Sequence, residues 1–238
     1  MVGPIVEDSY YDNPQGTYVW GPLDIPPLKA GEAYRRIFDF GCGCGREERR
    51  LLLQKDKPEK IVGLDINPEM IEWCRTNLAA PGVTFLHHDV YNSTYAPKNR
   101  KNRVLPIRDA GSDFTLIEAN SVFTHLHEDQ SKFYLDQMRS MLAPTGIVRA
   151  TWFLFNKKAF PMMGDNLNTI FINEADPTNA VYYDWKAFVT MVHKLGYRII
   201  DIKWAQMLGF HNIICLGRSD NFLDISNMTP PGTSVLGY

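Results

Sequence analysis

The sequence predicts an α/β fold in which a mostly parallel sheet of seven strands, ending in an antiparallel C-terminal pair, carries helices on both faces. Three observations predict it. Short β-rich runs alternate with longer stretches of helical periodicity. One run, Ile37-Phe38-Asp39-Phe40, enters the glycine-rich turn Gly41-Cys42-Gly43-Cys44-Gly45 directly before a helical stretch. The next strand then ends on a carboxylate, Asp65, twenty residues beyond Gly45, where a doubly wound nucleotide-binding fold places one.

In chain order, strands are expected at Arg36 to Phe40, Lys60 to Leu64, Val83 to Leu86, Asp113 to Glu118 and Ile147 to Phe153. Helices are expected between them at Arg46 to Gln54, Pro68 to Leu78 and Glu128 to Leu142. Asn67 caps the second helix with Pro68 in its first turn, while Pro144 and Gly146 close the third. A fourth helix, Tyr183 to Leu195, stops at Gly196, and strands at Tyr197 to Trp204 and Phe210 to Leu216 follow. Their short connection requires an antiparallel pair. Residues 1 to 33, 90 to 112 and 155 to 181 fit no element, and loops of such length are where substrate contacts are expected. The 238 residues therefore read as one domain: an N-terminal strap or lid (1–33), a core (34–218) and a C-terminal tail (219–238).

Composition removes several alternatives. The 25 basic and 27 acidic residues give a formal charge of −2, so no global basic field points to nucleic acid. No apolar run reaches the roughly 18 residues of a membrane span, and the N-terminus lacks a basic start with an apolar core, which makes the cytoplasm the expected location. Cys42, Cys44, Cys74 and Cys215 are spaced for neither a disulfide framework nor a zinc site, and no metal is expected.

Glycines in the first turn let a ligand approach the backbone, and the helix N-terminus behind them offers free N–H groups. A dinucleotide fingerprint laid on Gly41 and Gly43 puts Arg46 at its third glycine, where close packing of helix on strand wants no side chain. The segment Phe38 to Arg46, FDFGCGCGR, instead resembles the first signature of the class I methyltransferases, and of a bacterial subgroup associated with glycan and secondary-metabolite biosynthesis. The likeness continues in order through GLDINPEMIEWCRTNL (63–78), FLHHDV (85–90), SDFTLIEANSVFTHL (112–126) and MLAPTGIVRATWFLFN (141–156), covering roughly residues 36 to 217. It implies a Rossmann-like class I methyltransferase fold and S-adenosylmethionine as cofactor, with S-adenosylhomocysteine as product. By that resemblance Asp39 and the loop of Gly41, Cys42, Gly43 and Gly45 hold the methionyl end, and Asp65 the ribose hydroxyls. Ile66 lies against the adenine ring, Asp89 with the Val90 backbone meets its edge, and Asn120 and Ser121 border the cofactor at the end of the fourth strand.

In the same family the acceptor meets the cofactor above that strand end, which makes His125 the candidate general base, since an imidazole exchanges protons near neutral pH. The alternative is that His125 only packs or bonds backbone in the SVFTHL turn. The loop from Asn156 to Ala180 is rich in amide and carboxylate side chains with apolar punctuation, as a sugar acceptor requires and as many surface loops are. A basic run, Lys98 to Arg103, either meets a phosphorylated acceptor or is a solvated face. Tyr10, Tyr11, Tyr18 and Trp20 belong to a lid or to a strap packed elsewhere. The function expected is O-methylation of a sugar hydroxyl in a glycan or glycosylated small molecule. The rivals are O- or N-methylation of a non-sugar natural product, in a pocket lined by Trp152, Phe153, Phe155, Met162 and Met163, and a cofactor-binding module without turnover. Residues 118 to 121 read Glu-Ala-Asn-Ser, so the Asn/Asp-Pro-Pro-aromatic tetrapeptide of amino-methylating DNA enzymes is missing.

Overall fold

A computed structural model describes residues 23, 25, 28, 31–54, 56–159, 163–164, 167–171, 173, 176–207, 211–218, 220 and 222–228. The aromatic strap residues Tyr10 to Trp20, the loop residues Met162, Asp165, Asn166 and Glu174, and the tail beyond Met228 lie outside this set. The chain resolves into two compact units. One runs to Glu118 and includes Met141–Gly146; the other holds Ala119–Ser140 and the chain from Ile147 onward.

The first unit is built on β1 (Arg36–Phe40), β2 (Lys60–Asp65), β3 (Val83–His87) and β4 (Phe114–Ala119), in the spatial order β3-β2-β1-β4 and all parallel. Helix α1 (Arg46–Leu53) follows β1, and α2 (Pro68–Asn77) follows β2. The α2 start is set locally: the Asn67 side chain accepts N–H bonds from Glu69 at 3.0 Å and Met70 at 3.1 Å, and Pro68 needs no partner there. Ile71 and Cys74, one turn apart, face inward against Phe85 and Cys42. β4 is buried along its whole length, as a strand covered on both faces must be.

Gly63 in β2 is a packing glycine. A Cβ there would lie 2.8 Å from Phe85 Cδ1, 2.8 Å from Glu48 Oε1 and 3.0 Å from Cys42 Sγ. Gly63→Ala is therefore expected to destabilise the chain by about 1–3 kcal/mol, as overpacking does, read as a lower urea midpoint at unchanged slope.

The second unit contains α3 (Glu128–Met141) up to Ser140, β5 (Leu142–Phe155) from Ile147 onward, β6 (Thr169–Phe171), β7 (Val181–Asp184), α4 (Trp185–Lys194), β8 (Arg198–Met207) and β9 (His211–Gly217). β5 pairs in parallel with β7 over its last three residues and antiparallel with β9 from Ile147 to Trp152. β8 and β9 form the antiparallel pair the short connection demands. Trp152, fully buried, centres this core: it stacks on Phe123 at 4.4 Å and meets Tyr183 edge-on at 5.2 Å.

Two expectations are adjusted. α3 ends at Met141 and β5 begins at once, so Pro144 and Gly146 sit inside the extended segment rather than between helix and strand. Pro144 is exposed and lies near the start of the strand, where a missing N–H costs less than in its middle. The segment 155–181 is also not featureless: β6 and two 3₁₀ turns, Lys157–Ala159 and Pro177–Asn179, occupy parts of it. Three residues carry too little periodicity to reveal β6 in advance. No helix among the described residues is long and apolar enough to cross a membrane.

Candidate functional site

In the first unit, β1 delivers the chain into the turn with Gly41, Gly43 and Gly45 at φ of 93°, 55° and 70°, conformations that glycine adopts without Cβ strain. The turn is bound to the end of β2: Gly41 N–H and Cys42 N–H both reach Leu64 O, at 2.7 and 3.1 Å. Asp65 completes the link. Its Oδ2 accepts Gly43 N–H and its Oδ1 accepts Asn67 N–H, each at 2.8 Å, so one carboxylate holds the glycine turn and the entry to α2 together. Burial raises the Asp65 pKa, and the N–H bonds from Asn67 and Gly43 oppose that rise.

The thiols of the turn are not reactive centres. The neighbouring Cys74 and burial push Cys42 well up, and burial raises Cys44, so both stay protonated. All four cysteines are free. Beneath the turn, Asp39 is only 3% exposed, and burial, reinforced by Glu48, Glu47 and Glu118, holds its carboxyl well above the usual range.

At the other end of the same edge, Ile66 and Val90 are joined by a residue that sequence reasoning did not single out. Asn99 Nδ2 donates to Ile66 O at 2.7 Å and Val90 O at 3.1 Å. His87 Nε2 lies 3.2 Å from the same Ile66 carbonyl. Asp89 is engaged by Arg100, through its N–H at 3.2 Å and an ion pair at 2.7 Å, and Lys101 Nζ sits 4.0 Å above the Tyr91 ring. The basic run is thus partly turned onto this edge. Only the alternation of Asn99 and Arg100 with lysines hinted at it. His88 is buried, and burial lowers its pKa to about 4, so it is a neutral packing residue near pH 7.

In the second unit, Asn120 and Ser121 follow β4. Ser121 adopts φ 55°, rare for a residue with a side chain; its N–H is caught by Thr151 Oγ1 at 2.7 Å. Its hydroxyl lies 3.3 Å from His211 Nε2, and the His211 ring packs on Phe153 at 4.6 Å. Histidine 211 was also missed, because ninety residues separate it from Ser121. His125 Nδ1 is 2.9 Å from Thr178 O. A carbonyl accepts only, so Nδ1 carries the proton in a neutral ring and Nε2 is the accepting nitrogen.

The second unit also carries an open pocket of about 880 Å³ lined by Asn156, Lys157, Lys158, Met163, Asn168 and Trp185, among others. Five of these six come from the polar loop after β5. Trp152 and Phe155 are in the core instead, 0% and 1% exposed. Of the residues expected in the site, the first unit holds Asp39, Gly41, Cys42, Gly43, Gly45, Asp65, Ile66, Asp89 and Val90; the second holds Asn120, Ser121 and His125. No group of three or more metal-binding side chains occurs among the described residues.

Known proteins give the geometry a context. Residues 37–146 match the family described as a methyltransferase domain. A 56-residue stretch is 42% identical to an uncharacterized methyltransferase of Emericella nidulans, covering 24% of this chain and 20% of that protein. The pyocyanin biosynthetic protein PhzM is similar in structure at TM-score 0.53 and 15% identity, over 79% of this chain and 51% of PhzM. A SAM-dependent methyltransferase of Methanosarcina mazei is similar at TM-score 0.52 and 16% identity, over 83% of this chain and 99% of that one. The fold is the Rossmann-like fold of the class I methyltransferases.

Proposed function

With residues 37–146 matching a methyltransferase domain, we propose that the chain transfers a methyl group from S-adenosylmethionine to a hydroxyl of a sugar, in a glycan or on a glycosylated small molecule. The residues of the first unit fit that cofactor. A Cβ on Gly43 would meet nothing nearer than Met70 Sδ at 3.9 Å, so this face of the turn has room for a ligand. Asp65 accepts N–H bonds from Gly43 and Asn67 and is also engaged by the Ile66 N–H, and a carboxylate has about four acceptor sites, which leaves room for a ribose hydroxyl. The Asn99 side chain ties the Ile66 and Val90 carbonyls together, which supports the reading of these residues and Asp89 as one adenine-binding edge.

The bound cofactor supplies an electrophilic methyl on a cationic sulfur. This chain's part is to orient the acceptor, exclude water and remove the hydroxyl proton. His125 is the base in this reading: the Thr178 carbonyl locks the tautomer whose Nε2 accepts a proton. The polar pocket of the second unit supports the sugar reading, with His125 outside its lining residues. Amides of Asn156 and Asn168 suit hydroxyls, Trp185 offers an apolar contact, and Lys157 and Lys158 suit an acidic substituent. A non-sugar acceptor would be favoured by the greasy lining expected from Trp152, Phe153, Phe155, Met162 and Met163; of these, Trp152 and Phe155 are consumed by the core, while Met163 lines the pocket.

The test is transfer of a labelled methyl from S-adenosylmethionine to a panel of glycosides, acidic sugars and phenols. Label on a glycoside or acidic sugar is expected; label on phenols alone supports the rival enzyme, and no transfer with intact cofactor binding supports a module without turnover. On the acceptor so found, His125→Ala is expected to slow turnover by roughly a hundred-fold or more while leaving cofactor affinity nearly unchanged. Full turnover by this variant would remove His125 from the role.

A further inference from the structure

Glu48 is the residue of the first unit that the reading above leaves without a task. It stands on the inward face of α1, one turn before the buried Leu51, where helical periodicity calls for an apolar side chain. It is 0% exposed, and its carboxyl meets no donor from another residue save the neighbouring Asp39 carboxyl. The sheet makes space for it, since a Cβ at Gly63 would come within 2.8 Å of Glu48 Oε1. A buried carboxylate without a donor or cation is costly, so this group is neutral in the ligand-free chain.

Asp39, itself 3% exposed, pairs in register across the sheet with Gly63, the residue whose missing Cβ makes room for Glu48, so the two carboxyls share one buried site. The titratable groups facing these two are Glu47 on α1, Glu118 on β4, Cys42 of the glycine turn and Cys74 of α2. Two carboxyls in one buried site, surrounded by further acids and thiols, do not both ionise.

Resting on the reading of the glycine turn as the cofactor's cradle, we propose that Asp39 and Glu48 share a proton beneath that turn, and that binding of S-adenosylmethionine expels it. The amino-acid end of the cofactor brings a positive charge to Asp39, which takes over the proton's part as counter-charge; the proton goes to solvent. Glu48 acts through Asp39 and is a positioning residue. It makes cofactor affinity rise with pH below the point at which the pair ionises unaided.

Isothermal titration of the full chain with S-adenosylmethionine at pH 6.5, in two buffers of different ionisation enthalpy, measures the proton directly. Release approaching one proton per site is expected, with Kd falling by up to tenfold per pH unit between pH 6 and 7.5. In Glu48→Gln the amide donates to an Asp39 that is already ionised, so release and slope are both expected to vanish. Binding by the wild-type chain without proton release, or with the same pH slope as Glu48→Gln, overturns the proposal and leaves the cofactor reading standing. No binding at any pH overturns the cofactor reading and the proposal with it. The wild-type proton count decides the matter even if the variant does not fold.

Discussion

Replacing Asp65 by alanine is expected to weaken S-adenosylmethionine binding by roughly a hundred-fold or more. The carboxylate makes two 2.8 Å bonds to the backbone, at Gly43 in the turn and at Asn67 before α2. Charge-assisted hydrogen bonds of this kind are worth about 1.5–3 kcal/mol each. Alanine therefore removes the link that sets the glycine turn against α2, leaves the Gly43 and Asn67 N–H groups without their acceptor, and deletes the carboxylate proposed for the ribose. Asp65→Asn retains one carbonyl acceptor and should lose less, because a single amide oxygen satisfies one N–H but not both. Titration calorimetry on the two variants gives the order wild type, Asn, Ala. An unchanged dissociation constant for Asp65→Ala would remove the ribose assignment.

Stability is expected to fall as the solution becomes alkaline, in a window set by Glu48. Burial raises its pKa from an ordinary value near 4.5 to about 8. Between these values the folded chain keeps a proton that the unfolded chain has given up, so folding binds protons and each pH unit costs roughly 1.4 kcal/mol. The contribution is fully present below the unfolded pKa, is lost progressively as pH rises through about 8, and is constant beyond. Across the window the loss amounts to a few kcal/mol, a large share of a typical stability of about 5–15 kcal/mol. Glu48→Gln fills the same volume without ionising. It is expected to flatten the profile and to outlast the wild-type chain at pH 9 in urea unfolding. A wild-type profile that is level from pH 5 to 9 would show that Glu48 is ionised in the folded chain.

Much of this was legible beforehand, for local reasons. Strand β1 falls at its expected residues, and the cap and first proline of α2 are visible as Asn67-Pro68, because each depends on neighbours a few residues away. Three glycines in five residues specify a left-handed turn by steric exclusion alone. A carboxylate ending β2 faces that turn because parallel pairing of β1 with β2 brings the two strand ends together. The start of β5 was less legible, since Pro144 and Gly146 break helices and also occur at strand edges.

By itself, then, the amino-acid order determined the α/β alternation, the glycine turn and Asp65 as its partner, all consequences of backbone sterics and short-range periodicity. Only the tertiary structure decided that Glu48, charged and apparently fit for water, is sealed beside Asp39; that Arg100 grips Asp89 while Asn99 ties Ile66 to Val90; and that Thr178, 53 residues distant, selects the tautomer of His125. The physical reason is the same in each case. Burial, hydrogen-bond direction and protonation depend on which atoms packing brings within about 3 Å, and loops far apart in the chain leave no periodic trace of that meeting.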